Sequence, residues 1–303
     1  MNGRKTGKTG LPNKKVHMVV FPHAKVNLGL QIISGPRDFI PGYHRIKTFM
    51  LVAGLNDILE VVPSDNTETH LFTSGIGIPP GKGNNLCLRA YELLRSELED
   101  FTKKKLPPVD IYLHKCIPPG SGLGGGSSDA AFMLRTLNDM FRLNLPHERL
   151  LKLAALLGSD CGFFLHKESM ISAGKGDILH PFSTSEIKGC ELVIIIPPVN
   201  ISTAWAYSKC SPKTPVTLLE DILAQPLDKW QDNLKNDFEP LIFEHYPIIR
   251  KIKQHLIETG SSYASLSGSG SGVFGIYSVS PPLAQLRQLH PDCMIINTGI
   301  DVS

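Results

Sequence analysis

Five glycines fall within the seven residues 120–126 of this chain, inside the run Pro118, Pro119, Gly120, Ser121, Gly122, Leu123, Gly124, Gly125, Gly126, Ser127 and Ser128. Glycine has no Cβ, so successive backbone N–H groups lie open to an anion, and a helix beginning at the end of the run turns its positive end on the same point. The chemistry is that of a phosphate cradle. A flexible glycine-rich turn is the plainer alternative, but it would not require the Ser127-Ser128 pair, which can cap the following helix. Two charged residues could work on a phosphate held there. Asp160 stands between a helix end and the apolar run Phe163, Phe164 and Leu165, where a carboxylate could take a proton from a hydroxyl; on the residues alone, a turn or helix cap is an equal reading. Lys25 precedes the strand-like Val26-Asn27-Leu28-Gly29-Leu30, where a cation needs either a carboxylate or phosphate partner or a way out to solvent. Strand alternation puts Asn27 on the face of Lys25.

Three other phosphate or nucleotide signatures compete and fail. Gly3-Arg4-Lys5-Thr6-Gly7-Lys8-Thr9 looks like a P-loop, but it has three residues between its glycines where four are needed, and no strand precedes it. Gly120, Gly122 and Gly125 fit the spacing of a dinucleotide-binding turn, yet the chain continues into a second helix where a parallel strand ending in an acid should follow. The protein-kinase glycine loop shares that spacing without its companion motifs.

The cradle has to be placed by flanking elements. Val109, Ile111 and Leu113 alternate with Asp110, Tyr112 and His114, so a half-buried strand over 109–116 leads directly into the glycines. Ser127 or Ser128 opens a helix to about 141, and Pro146 and His147 introduce another to about 157. Leu86, Ala90, Leu93, Leu94, Leu98 and Phe101 recur at helical spacing, with Asn84 or Asn85 as cap. Strands are predicted at 19–21 and 26–33, interrupted near Pro22, then at 44–52 and 57–62, with turn-rich sequence over 74–83. Later strands fall at 170–173, 192–196, 263–266, 273–277 and 294–297, and helices at 203–208, 240–258 and 282–289. Strands and helices mixed without steady alternation indicate an α+β fold and argue against a doubly wound parallel sheet.

Composition excludes several classes. Hydrophobic residues make up 42% and charged residues 19%, as in a globular protein. The net charge of +3 owes its sign to Arg4, Lys5, Lys8, Lys14 and Lys15, so the body is no basic nucleic-acid binder, and residues 1–15 read as a solvated basic tail. No run approaches the ~18 apolar residues of a membrane span, and no secretory signal is evident, which predicts a cytoplasmic protein without membrane partners. The six cysteines show no CxxC pair and no zinc spacing, and are expected to be reduced thiols.

The ordered set Ala24-Lys25-Val26-Asn27-Leu28, Gly42-Tyr43-His44, the glycine run, Gly158-Ser159-Asp160 and Leu266-Ser267-Gly268-Ser269-Gly270-Ser271-Gly272 resembles the GHMP kinases, the superfamily of galactokinase, homoserine kinase, mevalonate kinase and phosphomevalonate kinase. The matching pieces span 24–272. Within it, the resemblance is to the branch that phosphorylates the 2-hydroxyl of a cytidine diphosphate-linked methylerythritol on the non-mevalonate route to isoprenoid precursors; a mevalonate- or homoserine-type kinase is the alternative. The resemblance implies a two-lobed GHMP kinase fold with a mixed-sheet N-terminal half and an α/β-sandwich-like C-terminal half. It implies a tail at 1–15, an ATP-binding domain at 16–165 and a second domain at 166–303, with the site in the cleft between them. It further implies Asp160 as general base with Lys25 as electrostatic support, ATP on residues 118–128 with its adenine near Asn85 and Leu86, and Mg²⁺ with ligands left open. The acceptor would lie on Asn27, Tyr43, His44 and Tyr207, in a monomer or homodimer. One departure is visible: Cys161-Gly162 stands where a Val-Pro pair is common in the family, which puts the local backbone in question.

Overall fold

The alternating segment 109–115 forms the expected strand and belongs to the first of three four-stranded sheets in the computed structural model, which describes residues 16–34, 44–79, 85–103, 105–166 and 168–300. In chain order the strands are β1 (Met18–Val20), β2 (His23–Ile33), β3 (Arg45–Asn56), β4 (Ile58–Pro63), β5 (His70–Gly75), β6 (Val109–Lys115), β7 (Met170–Gly174), β8 (Ile178–Pro181), β9 (Glu191–Ile196), β10 (Tyr263–Leu266), β11 (Val273–Tyr277) and β12 (Met294–Gly299). The helices are α1 (Leu86–Thr102), α2 (Gly125–Met140), α3 (His147–Leu157), α4 (Thr203–Lys209), α5 (Leu219–Leu223), α6 (Trp230–Asn233), α7 (Glu239–His245), α8 (Pro247–Glu258) and α9 (Leu283–Leu289).

The sheets have the orders β1-β4-β6-β5, β2-β3-β7-β8 and β10-β11-β9-β12, antiparallel except for β5 beside β6. This is the α+β architecture the sequence predicts. Leu59, Val61, Ile111 and Leu113 of the first sheet pack with Leu94, Leu134 and Leu153 from α1, α2 and α3. Val26, Leu28 and Leu51 of the second sheet share a core with Ile194, Phe274 and Tyr263 of the third, whose other face packs Val193 and Ile195 against Ile249, Ile252 and Leu256 of α8. β2 is therefore covered on both sides, and its long apolar run follows from that. The expected division at residue 165/166 runs through the second sheet, in which β3 pairs with β7 in the register Thr48↔Ser172.

Several expectations are corrected. The helix expected over 240–258 is two helices, because Pro247 keeps Tyr246 out of the helical region, at φ −129° and ψ 76°, and starts α8 afresh. Neither Ser127 nor Ser128 caps α2. The cap is Gly124 at φ 76°, and both serines lie inside the helix, since a glycine in the left-handed region lets the helix begin earlier than a serine cap would. Asn85 does cap α1, accepting from Cys87 N. Among the described residues no helix is long and apolar enough to cross a membrane.

Candidate active site

β2 brings Lys25 and Asn27 to one face, and their side chains meet: Lys25 Nζ donates to Asn27 Oδ1 at 2.5 Å. Lys25 is 4% exposed, so its charge must be met inside the protein. It donates to the Gly122 carbonyl at 2.9 Å and lies 3.4 Å from Asp160 Oδ2. Asn27 is held in turn by donating from Nδ2 to Thr48 Oγ1 at 3.1 Å, and Thr48 donates to the Gly29 carbonyl. A strand, the glycine run and the turn after α3 thus converge on one ammonium group.

The glycine run leaves β6 and ends at α2, with Gly120, Gly122 and Gly124 all at positive φ near 75°. Close approach explains the middle one, since a Cβ on Gly122 would lie 2.2 Å from the Ser267 carbonyl oxygen. The late glycine-rich segment expected over 266–272 is therefore a turn that packs onto the first glycine run. Ser267 Oγ donates to the Gly122 carbonyl at 3.0 Å and Gly272 N to the Ser121 carbonyl at 2.9 Å. Below the run lies a buried cluster in which Lys115 donates to Asp129 at 2.6 Å and also contacts Asp57. Asp57 Oδ1 accepts from the backbone N–H groups of Cys116 and Ile117, so this cluster ties the entry of the loop to α2. Burial, followed by the opposing attraction of Lys115, sets the Asp129 carboxyl, and the balance leaves its pKa raised.

Asp160 occupies the turn between α3 and a short helical turn at Phe163–Leu165. Phe164 wedges against the start of α2, where a Cβ on Gly124 would come 2.7 Å from its ring. The Cys161-Gly162 departure leaves this backbone ordinary, because Gly162 has φ −59°, a value proline also adopts. Burial pushes the Cys161 thiol up to about 11, with a hydrogen bond to Ser127 working the other way. It is a protonated, packed side chain, not a nucleophile.

These groups line one cleft of ≈ 870 Å³. Lys25, Asn27, His44, Pro118, Pro119, Gly120, Ser121, Gly122, Gly124, Gly125, Gly126, Ser127, Asp160 and Tyr207 all border it. Leu123 and Ser128 are fully buried and Asn85 is used as a cap; these three do not border it, although Leu86 does. Tyr43 lies outside the described residues. His44 and Tyr207 stack at 5.5 Å with 13° between their planes, and Phe238 braces Tyr207 edge-on at 4.9 Å. Burial raises the Tyr207 phenol, and the charge of Asp160 adds to the shift.

Sequence reasoning missed Lys175, which borders the cleft from the β7–β8 turn. A Cβ on the adjoining Gly176 would be 3.7 Å from Asp160 Oδ1. Gly-Lys-Gly in a hairpin carries no local signal, and only the pairing of β7 with β3 brings it here.

The chain matches the family models for the GHMP kinases N terminal domain over residues 85–168 and GHMP kinases C terminal over residues 218–289. It is 42% identical over 271 residues to the 4-diphosphocytidyl-2-C-methyl-D-erythritol kinase of Bacteroides fragilis, covering 89% of this chain and 95% of that one. It is 42% identical over 264 residues to the kinase of the same name from Cytophaga hutchinsonii, covering 87% and 94%. Among solved structures, a 4-(cytidine 5'-diphospho)-2C-methyl-D-erythritol kinase superposes with a TM-score of 0.71 at 27% identity, over 94% of this chain and 100% of that one. The mevalonate kinase of Methanococcus jannaschii shares the fold at a TM-score of 0.67 and 15% identity, over 96% and 100%. With a glycine run at the start of α2, a buried lysine paired to a carboxylate and this similarity over most of its length, the chain belongs to the GHMP kinases and, among them, to the 4-diphosphocytidyl-2-C-methyl-D-erythritol kinases.

Proposed function

We propose that this kinase transfers the γ-phosphoryl group of ATP to the 2-hydroxyl of 4-diphosphocytidyl-2-C-methyl-D-erythritol, giving the 2-phosphate and ADP, as a cytoplasmic step of the non-mevalonate route to isoprenoid precursors. The observation that carries this reading is the Lys25–Asp160 pair at 3.4 Å, set in a cleft with the glycine run on one side and the His44–Tyr207 rings on another. Asp160 accepts the proton of the attacking hydroxyl as the new O–P bond forms and the bond to the β-phosphate oxygen breaks. Lys25 pairs with Asp160 at 3.4 Å and offsets the charge gathered on the phosphoryl oxygens. Asn27, fixed by Lys25 and Thr48, orients the hydroxyl.

The open backbone of residues 118–126 receives the triphosphate at the start of α2, and the adenine lies toward Leu86. Ser127 and Asp160 offer a hydroxyl and a carboxylate to the same cleft. That donor set suits Mg²⁺, which keeps several waters and is held largely by phosphate oxygens. Bound there, Mg²⁺ neutralises charge between the terminal phosphates. Tyr207, with His44 and Tyr43, forms the base site. His44 and Tyr207 sit too close for a third ring between them, so the cytosine takes an outer face or displaces His44. The described part of the cleft is built from one chain, with the halves 16–165 and 166–303 both contributing, so a monomer or either copy of a homodimer holds a complete set.

The test is ADP release with ATP and Mg²⁺ against the cytidylated alcohol, mevalonate and homoserine, with ³¹P NMR of the product. A new phosphomonoester on the cytidylated alcohol alone is expected. Turnover of either other acceptor in its place would overturn the substrate.

A further inference from the structure

The four residues before and at the start of α7 contact β2, the backbone at 266–268 and the ring of Tyr207. Asn236 is buried and donates from Nδ2 to the carbonyls of Leu266 and Gly268, both at 2.8 Å, while its Oδ1 accepts from Phe238 N at 2.9 Å. Glu239, also buried, accepts at Oε1 from Ser265 Oγ and Leu266 N, both at 3.1 Å, and Lys253 meets its Oε2 at 2.7 Å. Phe238, between them, braces Tyr207. Asp237 accepts from Ile32 N at 2.7 Å and so ties the segment to β2, the strand of Lys25.

Two of these side chains grip the start of the 267–272 turn, whose free side holds the nucleotide loop. Ser267 Oγ accepts from Asn27 N at 3.3 Å and donates to the Gly122 carbonyl, the same oxygen on which Lys25 is anchored. A buried amide that satisfies two carbonyls at once has little freedom to shift, because each orphaned group would carry a desolvation cost. We propose that Asn236 and Glu239 are positioning residues for phosphoryl transfer, acting through the Ser267 turn on the Gly122 carbonyl and thereby on Lys25 and the phosphate cradle. Neither touches the reacting groups. Their effect reaches the chemistry as a displacement of groups whose placement sets the rate, and small misplacements from distant changes are costly there.

The rate readout rests on the kinase reading above; the binding readout needs only that ATP binds. In the full chain, Asn236→Ala and Ser267→Ala are each expected to lower kcat and weaken ATP binding by about ten-fold. The double variant should be no worse than the poorer single, because both act through one turn. Glu239→Gln keeps an oxygen for Leu266 N and should retain most of the rate, while Glu239→Ala should lose about ten-fold. Folded Asn236→Ala with unchanged kcat and ATP affinity, or Asn236 and Ser267 effects that multiply, would overturn the proposal. If Asn236→Ala does not fold, the Glu239 pair decides, and equal activity of Glu239→Ala and Glu239→Gln overturns it. Should the unmodified chain fail to turn over the cytidylated alcohol, the substrate reading falls, and ATP affinities of the same variants still decide the role of Asn236 and Glu239.

Discussion

Lys25 is almost wholly buried, and its three oxygen partners come from β2, the glycine run and the turn bearing Asp160. Replacing Asp160 by Asn keeps the shape and removes the proton acceptor, so kcat should fall by ~10²-fold or more while ATP still binds; a near-normal kcat would remove Asp160 from the mechanism. Cys161, next in the chain, should behave as an inert thiol. With its pKa pushed up to about 11 by burial, it should remain unlabelled when the folded protein meets iodoacetamide near pH 8, as read by peptide mass mapping. Rapid labelling would show that the pocket around it opens. Residue types left Lys25 between a buried partner and solvent and Asp160 between a base and a cap; the family resemblance tipped both readings, and the structure brings the two side chains to 3.4 Å. What types could not show was the second use of Ser267 and Gly122, or the arrival of Lys175. Those depend on which backbone oxygen faces which side chain, and pairing across more than a hundred residues decides that.

The glycine run behaves as two kinds of position. Gly122 stands at φ 78° against the Ser267 carbonyl, so Gly122→Ala must strain the backbone and push the two turns apart. A loss of roughly 1–3 kcal/mol or more in chemical denaturation, together with loss of ATP binding, is expected. Gly126 lies within α2 with only Leu86 near its missing Cβ, at 3.5 Å. Gly126→Ala should therefore leave stability unchanged or raise it by about 0.4–1 kcal/mol, yet raise the KM for ATP by crowding the cradle. Equal destabilisation by both changes would contradict the distinction. Elements with strong periodicity, such as β6 and α1, were legible in the sequence for physical reasons, since each buries one face. β5 was not, because its residues are mostly exposed and include Thr, Ser and Gly. β8 is a four-residue edge strand ending in proline, too short to show alternation. The segment 236–239 has no periodicity at all, and its importance arises from side-chain bonds to backbone that local pattern cannot reveal.

Over the whole molecule, His23, His166 and His290, all lowered, link stability to pH in one direction and the raised Asp129 carboxyl in the other. His23, packed among Phe132, Phe163 and Phe164, and His290, 3.1 Å from His255, are both held below their ordinary value of 6.5, chiefly by burial. Below that value the unfolded chain takes up protons that the folded chain resists. Their contribution to stability is therefore present above about pH 6.5 and lost as pH falls through the window beneath it. Between about pH 7 and pH 5, His23→Gln with His290→Gln should lose less thermal stability than the unmodified chain; an unchanged pH slope would assign it to other groups. The second sheet has a consequence for folding order. β2 and β3 precede their partners by a long stretch of chain: β3 acquires its outer neighbour only at β7, and β2 meets the 267–272 turn some 240 positions later. Contacts of such long range are entropically slow to close. The first sheet with α1, α2 and α3 draws its core mainly from nearer parts of the chain. On refolding, helical signal should therefore return before activity does, and a ribosome that has released only the first half of this chain holds a glycine loop still missing the 267–272 turn that packs against Gly122.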